Sequence, residues 1–143
     1  MMDSVKEVEI GNGRVILKQA NLQEVDVVAM LKEVDGFIDR SPKLTRASDS
    51  SFIYFFDNKS QVVHVGKEII GFCSSDFLED FDLSSMDLAS STLYSYTYNG
   101  DLEIDSILIK EKLIRQTESF LPMWRIRLSG TTSQLIHLEF WKS

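Results

Sequence analysis

The stretch Leu93-Tyr94-Ser95-Tyr96-Thr97-Tyr98-Asn99-Gly100-Asp101-Leu102-Glu103-Ile104-Asp105-Ser106-Ile107-Leu108-Ile109-Lys110-Glu111-Lys112-Leu113 decides how the chain is read. Aromatic and polar residues alternate over 93–98, the period of a strand, so Tyr94, Tyr96 and Tyr98 share one face. Ile107, Ile114 and Leu121 then recur seven apart with Leu108 beside them, which predicts a helix over 104–120, closed by Pro122. A strand running through a short loop into an amphipathic helix is the arrangement in which backbone N–H groups hold a phosphate. Such loops usually need glycine, because the backbone must approach the anion closely.

Outward from this stretch, strands and helices alternate. Residues 5–10 and 14–20 flank Gly11-Asn12-Gly13 and read as a hairpin. Asn21 and Glu24 form a capping-box pattern, so a helix is expected with Leu22, Val25, Val28 and Leu31 on its apolar face and Gly36 after its end. Polar residues 40–50 read as a loop. Strands are expected at Phe52–Phe56 and Gln61–Val65, then a turn from Lys67 leading through Gly71 and Phe72 into another strand. Residues 76–87 read as a loop or short helix, Trp124–Leu128 as a strand, and Ser133–Trp141 as a helix. The class is α/β: one mixed α+β sheet with flanking helices in a single domain, 1–143, without repeat or linker.

Gly100-Asp101-Leu102-Glu103-Ile104-Asp105-Ser106, followed by Ile107-Leu108-Ile109, resembles the pyrophosphate loop of the GNAT acyltransferase superfamily, commonly R-G-x-G-I-G-S. The resemblance extends to Val15–Ala20 with Asn21–Val34 as first strand and helix. It takes in Gly66-Lys67-Glu68-Ile69-Ile70-Gly71-Phe72 as a D-G-x-I-V-G-F hairpin and Arg125–Leu128 as the fifth strand. Leu138-Glu139-Phe140-Trp141-Lys142-Ser143 stands for the helix ending F-Y-x-K-x-G-F. It implies a GNAT-like fold that lacks the last two strands and leaves Trp124–Leu128 at an open edge. A homodimer through that edge follows.

The departures bear on function. Asp101, Glu103 and Asp105 stand where the family has glycines, Gly100 where it has arginine, and Trp141 where it often has a general-acid tyrosine. Two unit charges ~5 Å apart repel by about 3 kcal/mol at an effective dielectric of ~20. The resemblance therefore implies a domain that has lost acyl transfer and serves as a protein-binding or regulatory module, with no cofactor. Asp101, Glu103, Asp105, Asp76, Glu79, Asp80 and Asp82 are its expected contacts with a protein partner. The same acids at 101, 103 and 105 also suit plain helix capping. The alternative is an active N-acyltransferase holding acetyl-CoA on the backbone of Leu102, Glu103, Ile104, Asp105 and Ser106, with Tyr98 as the candidate proton donor. A second alternative is an unrelated α+β interaction domain.

Composition narrows the classes. The chain has 143 residues, 43% of them hydrophobic and 26% charged, which suits a globular domain. The net charge of −7, with bases scattered as Lys43/Arg46, Lys110/Lys112 and Arg125/Arg127, argues against nucleic-acid binding. A single cysteine, Cys73, excludes an internal disulfide, and no run reaches the ~18 apolar residues of a membrane span. A cytoplasmic location without membrane attachment is expected. Neither His64 nor His137 shares metal-ligand spacing with cysteine or paired carboxylates, and 76–87 lacks the calcium-loop pattern, so no metal is expected.

Overall fold

Alternation of apolar residues writes much of the described chain into strands. A computed structural model describes residues 5–56, 61–98, 104, 123–129 and 135–142. In chain order these include strands β1 (Val5–Ile10) and β2 (Gly13–Asn21), helix α1 (Val27–Asp39), and strands β3 (Thr45–Arg46), β4 (Ser51–Phe55) and β5 (Val62–Ile70). Helix α2 (Ser75–Asp80) follows, then β6 (Ser84–Leu88), β7 (Ser91–Thr97), β8 (Trp124–Ser129) and β9 (Leu135–Trp141). The result is an α+β fold dominated by one curled sheet ordered β1-β7-β9-β8-β4-β5-β2-β6, with β3 beside β5.

Every pairing among the described strands is antiparallel, so the expected mixed sheet does not form. The curl comes from a long two-stranded ribbon. β1 and β2 are not a hairpin: β1 pairs β7 from Val5↔Tyr96 to Ile10↔Ser91, and β2 pairs β6 from Gly13↔Leu88 to Leu17↔Ser84. The chain bends at Gly11-Asn12 and again at Ala89-Ser90 without reversing. Asn12 Oδ1 ties the two bends by accepting from the Ser90 backbone N–H at 2.9 Å and the Ser90 hydroxyl at 3.2 Å. Because β6 runs on into β7, the ribbon joins both ends of the strand path.

A repeat invisible in the sequence appears in the pairing. β2, β5 and β4 are ordered first–third–second, with α1 between the first and second. β7, β9 and β8 repeat that order, and β4 pairs β8 to join the halves. The strand at 124–129 is therefore central, flanked by β4 and β9, and is not an open edge. The expected C-terminal helix is instead β9: Ile136, Leu138 and Phe140 are buried on one face, and His137, Glu139 and Trp141 take the other. Lys67–Ile70 prolong β5 where a turn into another strand was expected.

The outer face of the sheet carries Ile53, Phe55, Val65, Trp124, Ile126 and Leu138, together with Ile16. Both described helices lie there. The helix expected from Asn21 begins later, because Leu22 N–H is tied to the Gln61 carbonyl at 2.7 Å and 22–24 form only a 3-10 turn. Asp26 is the working cap, its carboxylate accepting from Ala29 N–H at 3.1 Å. The helix buries Val27, Met30, Val34, Phe37 and Ile38, leaves Val28 58% exposed, and runs through Gly36. The helix expected over 104–120 lies outside the described residues apart from Ile104, which is helical and packs on the outer-face core. No described helix is long and apolar enough to cross a membrane.

Gly66 marks the tightest approach in the sheet: a Cβ there would drive into the backbone carbonyl of Ile16 on β2. Gly66→Ala should therefore force β2 and β5 apart and destabilise the protein by about 3 kcal/mol. The measurement is urea unfolding at neutral pH, and an unchanged midpoint would show that the strands can yield.

Candidate functional site

Alternation along β4, β8, β9 and β7 sends Phe52, Tyr54, Arg125, Arg127, His137, Glu139, Trp141 and Ser95 to the inner face, which carries neither described helix. The curl covers part of this face with Val15, Leu17 and Leu88 from β2 and β6. The remainder holds a buried ionic network. Glu139, only 1% exposed, accepts from Arg125 Nε at 2.8 Å on Oε1; on Oε2 it accepts from Ser95 Oγ at 2.9 Å and Arg127 Nε at 3.2 Å. Arg125, 3% exposed, also donates from Nη1 to Tyr54 Oη at 3.0 Å, and that nitrogen lies 3.7 Å from Glu68.

Aromatic rings enclose the network. The Arg125 guanidinium lies 4.5 Å from the Phe52 ring centroid and 5.4 Å from that of Trp141. Tyr54 stacks with Phe52 and with Phe56, each at 5.9 Å. Arg127 closes the buried set toward solvent: its side chain is 26% exposed, and its Nη atoms meet no acceptor among the described residues.

Burial works to raise the Glu139 carboxyl, but Arg125, then Arg127 and the Ser95 hydroxyl, outweigh it and hold the group below the usual carboxylate range. Burial pushes Tyr54 up to about 12, although Arg125 opposes the rise. Burial lowers His64; burial and then the Arg127 charge lower His137, whose Nε2 sits 3.2 Å from Ser129 Oγ. Chemically, Glu139 is an ionised group with both oxygens occupied, and Tyr54 is a reluctant proton donor. Neither has the poise of a general acid or base near neutral pH.

The structure does not bring the sequence-derived candidates together. Tyr98 is buried in the outer-face core, its backbone N–H bonded to the Ile136 carbonyl, away from the ionic network. Asp101, Leu102, Glu103, Asp105 and Ser106 lie outside the described residues. Asp76, Glu79 and Asp80 are exposed on α2, and Asp82 follows it, 3.4 Å from Lys18. Cys73 stands apart from the network, its thiol pushed up by burial. Among the described residues no cluster of His, Cys, Asp and Glu could hold a metal. The network itself was missed, although Arg125-Ile126-Arg127 and His137-Leu138-Glu139 carry its signal: polar residues two apart inside apolar strands.

No family model matches the chain, and no curated protein matches it. Solved structures do share its fold. The EcmrR C-terminal domain superposes with a TM-score of 0.68 at 11% identity, covering 96% of each chain. EcmrR in a DNA complex gives 0.59 at 11% identity, covering 96% of this chain and 56% of that one. An integron cassette protein from the mobile metagenome of Vibrio cholerae gives 0.51 at 10% identity, covering 98% of this chain and 96% of that one. At these identities the likeness is one of fold.

Removing one partner from a buried ion pair leaves the other charge uncompensated. Glu139→Leu should cost about 3–5 kcal/mol, and adding Arg125→Met should recover part of the loss. The Glu139 carboxyl titrates lower in the folded than in the unfolded chain. Its contribution is thus present above the unfolded value of about 4.3 and is lost as pH falls through the lower folded one. The stability gap between wild type and Glu139→Gln, read by urea unfolding, should be full near neutral pH and close in acid. A gap constant down to pH ~2 would contradict the assignment.

Proposed function

We propose that the chain is a regulatory module that binds a small molecule on the inner face of its sheet and performs no chemistry on it. The observation that supports this is the Arg125–Glu139–Arg127 network. Buried ion pairs contribute little net stability compared with apolar packing, so one set among aromatic rings calls for another use. Because two guanidinium groups already engage Glu139, the carboxylate is a poor anchor for a cation. Among the described residues the unspent donors belong to Arg127. Phe52 stands opposite Arg127 across the β4–β8 pair, and with the part-exposed Trp141 on the same face of the sheet these donors suit a planar apolar ligand bearing a carboxylate or similar anion.

EcmrR is described in a complex with DNA, and this chain spans only part of the EcmrR chain in that complex. That fits a module working beside a DNA-binding segment. With a net charge of −7, this chain would act through a protein partner and leave DNA contact to other segments or chains. The acyltransferase reading stays attached to the loop at 100–106 and is tested alongside.

The experiment is calorimetric titration with 2-naphthoate and with 2-naphthylmethylammonium, which are matched in shape and opposite in charge. Naphthoate should bind at least tenfold tighter, and Arg127→Gln should erase the preference in a chain that melts at a lower temperature but is still folded at the temperature of the titration. A preference for the cation, or an unaltered preference in the variant, would overturn the proposal. Turnover of acetyl-CoA by the unmodified chain would restore the acyltransferase reading.

A further inference from the structure

The outer surface around α2 has the opposite construction: apolar side chains left exposed. Phe72 is 68% exposed, Phe77 45% and Phe81 44%. Phe77 and Phe81 pack on Phe37 of α1 with centroids 5.4 and 5.2 Å away, and on each other at 5.3 Å, so the rings are held in place. Two hollows flank this triad. One, of about 260 Å³, lies between Pro42, Leu44, Phe72 and Phe77; the other, of about 360 Å³, is lined by Lys32, Gly36, Phe37, Phe81 and Leu83. Arg40 lines both. Fixed aromatic knobs and open hollows therefore share one face.

Charge on this face is divided as well. Arg40 and Lys43, at the end of α1 and just beyond, pair with no acid among the described residues, and Glu79 and Asp80 of α2 pair with no base. A two-fold axis through such a face sets each copy's cations against the other's acids and each copy's knobs against the other's hollows. This is the self-complementarity that an isologous contact requires. Elsewhere the exposed edges are poor candidates: β1 carries Lys6, Glu7 and Glu9, and β6 carries Asp87, charges that blunt edge pairing.

We infer that this α1–α2 face is a homodimer interface, occupied by a second copy of the same chain. It replaces the β8 edge, which the sheet itself fills, and it is independent of the ligand proposed for the inner face. The exposed apolar set is small beside a standard interface of roughly 800 Å² per partner, so the dimer is weak and concentration-dependent.

Sedimentation velocity of the full chain, from about 5 μM to about 1 mM, reads the association directly. Mass should rise from monomer toward dimer across that range. Two charge-swapped chains give the specific test: one with Arg40→Glu and Lys43→Glu, the other with Glu79→Lys and Asp80→Lys. All four positions are exposed, and thermal melting confirms that both variants fold. Each variant alone should stay monomeric, because like charges then meet across the axis. Their equimolar mixture should associate at least as well as the unmodified chain. A chain that is monomeric throughout, variants that dimerise as well as wild type, or a mixture without rescue would each overturn the inference.

Discussion

The five rungs between β4 and β8, Ser51↔Leu128 through Phe55↔Trp124, hold the molecule together. Each half contributes three consecutive strands to the path, β4-β5-β2 and β7-β9-β8. Joined at this seam, the halves share a core on one side and an ionic network on the other. Outside, Phe55 stacks on Trp124 with centroids 4.0 Å apart and planes 6° apart. Inside, one rung along, Tyr54 stands opposite Arg125 and accepts its hydrogen bond. Because successive side chains point to opposite faces, a slip of one residue would drive Arg125 into the outer core and turn Trp124 into the ionic network. The register is thus enforced by two incompatible chemistries.

The inner network shows why strength and purpose must be separated. Glu139 loses its hydration on burial and regains two guanidinium partners and a hydroxyl. Arg125 exchanges water for the faces of Phe52 and Trp141 as well as for Glu139 and Tyr54. Such exchanges roughly break even. What the arrangement secures is direction: Arg125 is pinned on several sides, whereas among the described residues Arg127 is pinned through Nε alone, with its side chain part-exposed.

Much of the sheet was legible in the sequence. The alternation at 93–98, the run at 14–20 around Val15-Ile16-Leu17 and the aromatic run at 52–56 each became a strand. A helix after residue 21 was legible in kind but not in phase, because Leu22 is bonded to Gln61, a residue far off in sequence just before β5, and the helix is capped only at Asp26. β9 was misread for a different reason. Both of its faces are covered, so Ile136, Leu138, Phe140 and Trp141 blur the period of two, and the stretch reads as a helix. Pairing lay beyond local reading altogether. Ser95 and Glu139 are 44 residues apart, and nothing near either announces the other.

The same limit applies to charge. In the sequence the bases look scattered within a chain of net −7. The fold sorts them by what they have left to offer. Arg46 is spent on Asp35 and Asp39, Lys67 on Asp35, Arg14 on Asp87, and Lys18 on Glu33 and Asp82. Arg125 is spent inside the sheet. Among the described residues, Arg127, opposite Phe52, retains donors, and so do Arg40 and Lys43 beside exposed rings. Net charge describes the long-range field, which disfavours phosphate. Recognition at contact depends on which charges remain unpaired and what apolar surface adjoins them. An acidic protein can for that reason select an anion at one site and its own mixed surface at another.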